Sequence, residues 1–149
     1  MTTDTQQAPA LIALLSGLKE AVGAELHSRL TALGFGELRP AHGCVFGNID
    51  DEGSRLTDLA ARSGFTKQSV GEAVADLQKL GFVERVADPA DRRAKIIQLT
   101  PHGREALTAS QEIFDDIEGR FAEDIGEERY AQFRETLLEL QGVTQAQPA

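Results

Sequence analysis

The sequence predicts a mainly α chain that carries one small β-hairpin, an α+β arrangement. Three observations predict it. Apolar residues recur at helical spacing over most of the 149 residues, and aromatic residues make up only 5%. Between Ser54 and Thr100, two helical patterns are followed by two β-branched runs of strand length, Phe82–Val86 and Lys95–Leu99. Glycine and proline punctuate the joints, as in GFGELRP at residues 34–40 and DDEGS at 50–54.

Residues 1–8 are polar and are expected to fray. A first helix is expected from about Pro9, tolerated in a first turn, to about Leu33. Leu11, Leu15, Leu18, Val22, Leu26, Leu30 and Leu33 hold its apolar stripe. At roughly 1.5 Å per residue this helix outruns a small helical module, so it needs a second surface. A second helix, about Pro40 to Asn48, offers Ala41, Val45, Phe46 and Ile49 to the core. After the turn at 50–54, Leu56 is read as a short strand and Thr57 as the cap of a helix beginning at Asp58.

The next stretch predicts a helix-turn-helix. Ala60 is small enough for two helices to cross closely, and Gly64 supplies a positive φ to end the first of them. Thr66 offers an oxygen to cap the second. Val70, Val74 and Leu77 then repeat at i, i+4, i+7 as its buried stripe. The opposite side carries Lys67, Gln68, Gly71, Glu72, Ala75, Asp76 and Lys79. A polar, short-chained front of this kind suits a major groove.

Between the two strand runs lies ADPADRRA, residues 87–94, a longer connection than the roughly two to five residues of a tight hairpin. Pro89 stiffens it, and Arg92 and Arg93 are expected at its tip. A hairpin that presents two arginines beside a helix-turn-helix is a winged helix. Thr100 or Pro101 starts a further helix whose apolar stripe is Leu107, Ile113, Phe114, Ile117 and Phe121. Gly126 precedes a last one with Tyr130, Phe133, Leu137, Leu138 and Leu140, and the tail from Gln141 is expected to be loose.

Composition bounds the function. At this length one domain is expected over residues 1–149, with a lobe at 38–100 and terminal helices at 9–34 and 101–142. No signal peptide or membrane span is read from the sequence, so a cytoplasmic protein without membrane partners is expected. A single cysteine, Cys44, excludes an internal disulfide framework and a multi-thiolate zinc site. The three histidines have no metal-ligand spacing, and no phosphate-binding or nucleophile motif occurs. The expectation is no enzyme, no metal and no cofactor. Net charge is −9, yet from Arg55 to Arg104 nine Lys/Arg stand against six acids. A mildly basic module thus sits in an acidic frame, so reliance on a matched site outweighs non-specific affinity.

The segment LTDLAARSGFTKQSVGEAVADLQKLGFVERVADPADRRAKIIQLTPHG resembles the DNA-binding core of the MarR (multiple antibiotic resistance regulator) family. The D-x-x-D-R-R-A wing, followed by a strand and L-T-x-x-G, carries most of the likeness, over about a third of the chain. Glu72 departs from it, since many relatives have a basic or hydroxyl residue there. The resemblance implies a homodimer built from the terminal helices and an effector pocket, for which Arg39, His42, Cys44 and Phe46 are candidates. A phenolic or otherwise acidic small molecule is the class of effector it suggests.

Among DNA-contact candidates, Thr66, Lys67, Gln68 and Ser69 open the recognition helix, where backbone N–H groups and hydroxyls meet phosphate. Gln68 is expected to read a base, because its amide both donates and accepts toward adenine. Glu72 either accepts from cytosine or pairs with Lys67 or Lys79. Gly71 suggests close backbone approach, Arg92 and Arg93 suit a minor groove, and Lys95 follows them. One wing arginine is alternatively held by Asp88 or Asp91. The expected function is a homodimeric transcriptional regulator, a repressor, on a pseudo-palindromic operator in double-stranded DNA. The alternative is a winged-helix protein-interaction scaffold.

Overall fold

The computed structural model describes residues 8–146. The fraying expected for residues 1–7, and the last three residues of the loose tail, lie outside the described residues. The chain divides into two compact units, Met1–Ser110 and Gln111–Ala149.

In the first unit, α1 runs Leu11–Ala32 and a 3₁₀ turn covers Pro40–His42. The helices α2 (Gly43–Phe46), α3 (Leu56–Ser63) and α4 (Lys67–Lys79) follow. Strands β1 (Val83–Asp88) and β2 (Asp91–Leu99) form an antiparallel hairpin, and α5 starts at Pro101. The second helical segment is thus not one helix. Its 3₁₀ start shortens the period, so that His42 and Cys44 turn inward with Val45, while Ala41, expected in the core, is exposed.

The helix-turn-helix follows its residues closely. Gly64 closes α3 at φ +74°, and Ser69 N–H donates to Thr66 Oγ1 at 3.1 Å, capping α4. Val70, Val74 and Leu77 are fully buried, together with Leu59 of α3 and Val45 of α2. The start of α3 differs from expectation. Leu56 is its first helical residue, not a strand, and Arg55 stands at the N-cap position without a side-chain cap. The third-strand contact is made two residues earlier. Ser54 and Ile97 exchange backbone hydrogen bonds of 2.9 and 2.8 Å. Gly53, at φ +100°, makes this approach possible, because a Cβ there would stand 2.4 Å from Ile96 Cγ2.

The turn at 50–54 is bound from several sides. Arg62 of α3 donates to Asn48 O and Asp50 Oδ2, Gln98 of β2 donates to Glu52 O, and Arg104 of α5 donates to Asp51 O. Behind the hairpin, Gly103 in the first turn of α5 lies so close to Phe82 that a Cβ would be 2.0 Å from its carbonyl oxygen. Thr100 Oγ1 caps this helix by accepting from Gly103 N–H. The His102 ring stacks on Phe82 at 4.5 Å.

The helix α5 extends to Ile125, Gly126 turns the chain at φ +100°, and α6 covers Glu127–Ala146. The last helix therefore continues into the stretch expected to be loose, and no proline interrupts residues 127–146. In the second unit Ile113 and Ile117 are buried, whereas Phe114 is exposed. Arg134 pairs with Glu118, and Tyr130 lies between the rings of Phe121 and Phe133, each 6.2 Å away.

Candidate nucleic-acid interface

The α4 helix presents two unlike sides. Its stripe is sealed in the core, while Thr66, Lys67, Gln68, Ser69 and Glu72 are all exposed at its front. Thr66 serves twice, since its hydroxyl also donates to Ser69 Oγ at 2.9 Å. Gln68 Nε2 donates to Glu72 Oε1 at 3.4 Å. The partner of Glu72 is thus Gln68 rather than Lys67 or Lys79, because a one-turn separation on one face brings the amide and carboxylate together. Gly71 is half-buried with no positive φ, and a Cβ there would meet nothing within 4 Å. Nothing inside the chain requires glycine at this position.

The wing is tighter than the expected loop over residues 87–94. Pairing runs on from Val83↔Leu99 to Ala87↔Lys95 and closes at Asp88↔Asp91, leaving only Pro89 and Ala90 at the turn. Arg92, Arg93 and Ala94 fall between the last two pairs of β2 with no partners opposite. The arginines therefore sit on a bulge in a strand, not at a loop tip. Local hydrogen bonds build this shape. Asp88 Oδ1 accepts from Ala90 N–H at 2.9 Å, and Asp91 Oδ1 accepts from Arg93 N–H at 3.0 Å.

Asp88 does not hold a wing arginine. Its Oδ2 accepts from Arg55 Nε at 2.9 Å and from Nη2 at 2.5 Å, tying the turn end of the wing to the start of α3. The Ala90 N–H, and after it the Arg55 guanidinium, hold the Asp88 carboxyl below the usual aspartate range. The side chains of Lys67, Arg92, Arg93 and Lys95 are exposed and make no hydrogen bond or ion pair among the described residues. Sequence reasoning missed Arg55. Its partner lies 33 residues away, and no local pattern announces the pair.

The four effector candidates divide. Arg39 is exposed, and Phe46 is half-buried with its ring edge-on to Phe82 at 6.2 Å. His42 is buried, with Nδ1 accepting from Arg39 N–H at 3.0 Å and Nε2 3.6 Å from Asp76 Oδ2 on α4. Cys44 is buried too, and its Sγ donates to Ala41 O. Burial pushes this thiol above its usual range, which keeps it protonated at neutral pH. Among the described residues no group of acids, histidines or cysteines is arranged to hold a metal ion. No described helix is long and apolar enough to cross a membrane.

A capped helix-turn-helix, an antiparallel wing and a bridging contact from Ser54 define a winged helix-turn-helix protein. Comparison with known proteins adds a likeness over part of the chain. Residues 37–94 match the model of the MarR family. The transcriptional regulator HosA of Escherichia coli O111:H- is 29% identical over 83 residues, which span 56% of this chain and 62% of HosA. The HTH-type transcriptional regulator YdcH of Bacillus subtilis (strain 168) is 38% identical over 63 residues, 42% of this chain and 43% of YdcH. The matches thus span less than two thirds of these relatives' own length. Among solved structures, CouR from Rhodococcus jostii RHA1, bound to p-coumaroyl-CoA, superposes with a TM-score of 0.69 at 29% identity. The superposition covers 85% of this chain and 88% of CouR. Over residues 37–94 the chain is thus similar to the MarR family.

Proposed function

We propose that this chain is a homodimeric transcriptional regulator, acting as a repressor on a pseudo-palindromic operator. The observation that carries the reading is the division of α4. Its apolar stripe is used up inside the fold, while a capped, polar front with a side-chain-free Gly71 stands outside. Thr66, Lys67 and Ser69 would meet phosphates, and Gln68, held toward Glu72, would read a base edge in the major groove. Arg92, Arg93 and Lys95 have no competing partners among the described residues and would enter the adjacent minor groove.

A dimer is supported by α1, where Leu11, Ile12, Leu14, Leu15 and Leu18 are all exposed. Two half-sites read by one dimer raise affinity without new interactions. The ligand bound by CouR supports a phenolic or acidic effector for this chain, with Arg39 and Phe46 offering the accessible surface. Regulation of this kind would operate in the cytoplasm and needs neither catalysis nor a cofactor.

The test is a double substitution, Arg92→Ala with Arg93→Ala, in mobility-shift titrations on DNA from upstream of the protein's own gene. We expect at least a tenfold drop in affinity, with the salt dependence shallower by about 0.9 in log–log slope for each phosphate no longer neutralised. Unchanged titrations at two salt concentrations would remove the wing from the interface. If the unmodified protein shifts no DNA at any salt, the acidic front at Glu72 favours a protein-interaction scaffold instead.

A further inference from the structure

Phe65 is the one aromatic side chain at the opening of α4, and neither the core nor the wing makes use of its ring. It is 57% exposed, and the next residues in sequence, Thr66, Lys67 and Gln68, are exposed and polar. Its backbone is nonetheless fixed. Gly64 turns the chain at φ +74° on one side, Phe65 N–H donates to Ser63 Oγ at 3.3 Å, and the Thr66 cap follows. A residue just before an N-cap often packs on the fourth residue of the helix, here Val70. Val70 is already fully buried, and more than half of the Phe65 surface stays in water.

A large apolar ring carried into solvent on a fixed backbone gains by leaving water. Its place decides what it meets. In a helix-turn-helix the first residues of the recognition helix approach base edges, and the one strongly apolar group in the major groove is the thymine 5-methyl. We infer that Phe65 is a specificity-determining residue, which selects thymine in each half-site by packing its ring on that methyl. The inference rests on the DNA-binding function proposed for α4. The neighbouring Gln68 would then read one base by hydrogen bonding, while Phe65 reads another by shape alone.

The experiment uses the full chain and a duplex that it enriches from a randomised pool. Thymines of that duplex are replaced one at a time by uracil, which pairs identically and lacks only the methyl. For the unmodified protein we expect one thymine per half-site whose replacement weakens binding roughly fourfold, the value of one buried methyl. The variant Phe65→Ala should bind the thymine duplex about tenfold more weakly and no longer distinguish thymine from uracil there. Phe65→Leu, which keeps an apolar group, should retain part of the preference. If Phe65→Ala keeps the same thymine-to-uracil ratio, or weakens equally on both duplexes, the inference is overturned. If no duplex is enriched at all, the DNA-binding function itself fails, a separate result.

Discussion

Helices α1 and α4 both belong to the first unit and both carry a regular apolar stripe, yet they come to rest differently. On α4 the stripe residues Val70, Val74 and Leu77 are completely buried, against a core that also includes Leu59 and Val45. On α1 only Leu30 is buried, while Leu11 and Ile12 are 67% and 70% exposed. Their starts differ as well. The α4 helix is capped by Thr66, whereas α1 begins after Ala10 with no side-chain cap. Equal periodicity therefore states that a helix has an apolar face, not that its own chain covers it. One helix is completed by the fold, and the other keeps an exposed apolar face.

The sharpest way to break this contrast is Leu77→Ala. Truncation in a closed core should cost about 2–5 kcal/mol, read as a lower denaturant midpoint at matched protein concentration. The counterpart on α1 is Ile12→Glu. It removes an apolar side chain worth about 1.5–3 kcal/mol from each copy if that face is covered by a second copy, so self-association, which loses it twice, should weaken by about a hundredfold or more. Sedimentation should show a lighter species, with far-ultraviolet dichroism unchanged. An unchanged mass would detach the α1 face from dimer formation. The smallest effect concerns the helix starts. Thr66→Ala should lower stability by about 1 kcal/mol, and hydrogen exchange should report it first in the opening turn of α4. A decrease spread evenly over the chain would mean that the cap is not the local fastener its geometry indicates.

The same contrast explains what the amino-acid order made legible. The α4 helix could be placed with its cap, stripe and front because each depends on neighbours within about one turn. Gly64, Thr66 and Val70 carry their reasons locally. The wing could be recognised but not shaped. Its bulge at Arg92–Ala94 follows from side-chain oxygens of Asp88 and Asp91 meeting backbone N–H groups, which alternation of residue types does not encode. The Arg55–Asp88 pair lay further out of reach, because two charges far apart in sequence have many alternative partners. Inward residues of the second helical segment were misassigned for a simpler reason. A 3₁₀ start shifts every later side chain around the axis, so His42 and Cys44 replace Ala41 inside. For the candidate site, residue types identified the α4 front, but the freedom of its cations required knowing who their neighbours are.

The acidic turn at 50–54 would pass for a disposable loop, the natural place to graft a tag or reporter. Its carbonyl oxygens instead receive donors from β2 and α5, and Asp50 receives one from α3. Most of these attachments involve the main chain, so the identity of Asp51 or Glu52 can change while the spacing cannot. At Asp51 and Glu52 exchange of side chains should be tolerated and insertion should not, which makes this stretch a poor site for cargo and a sensitive one for frame-preserving deletions.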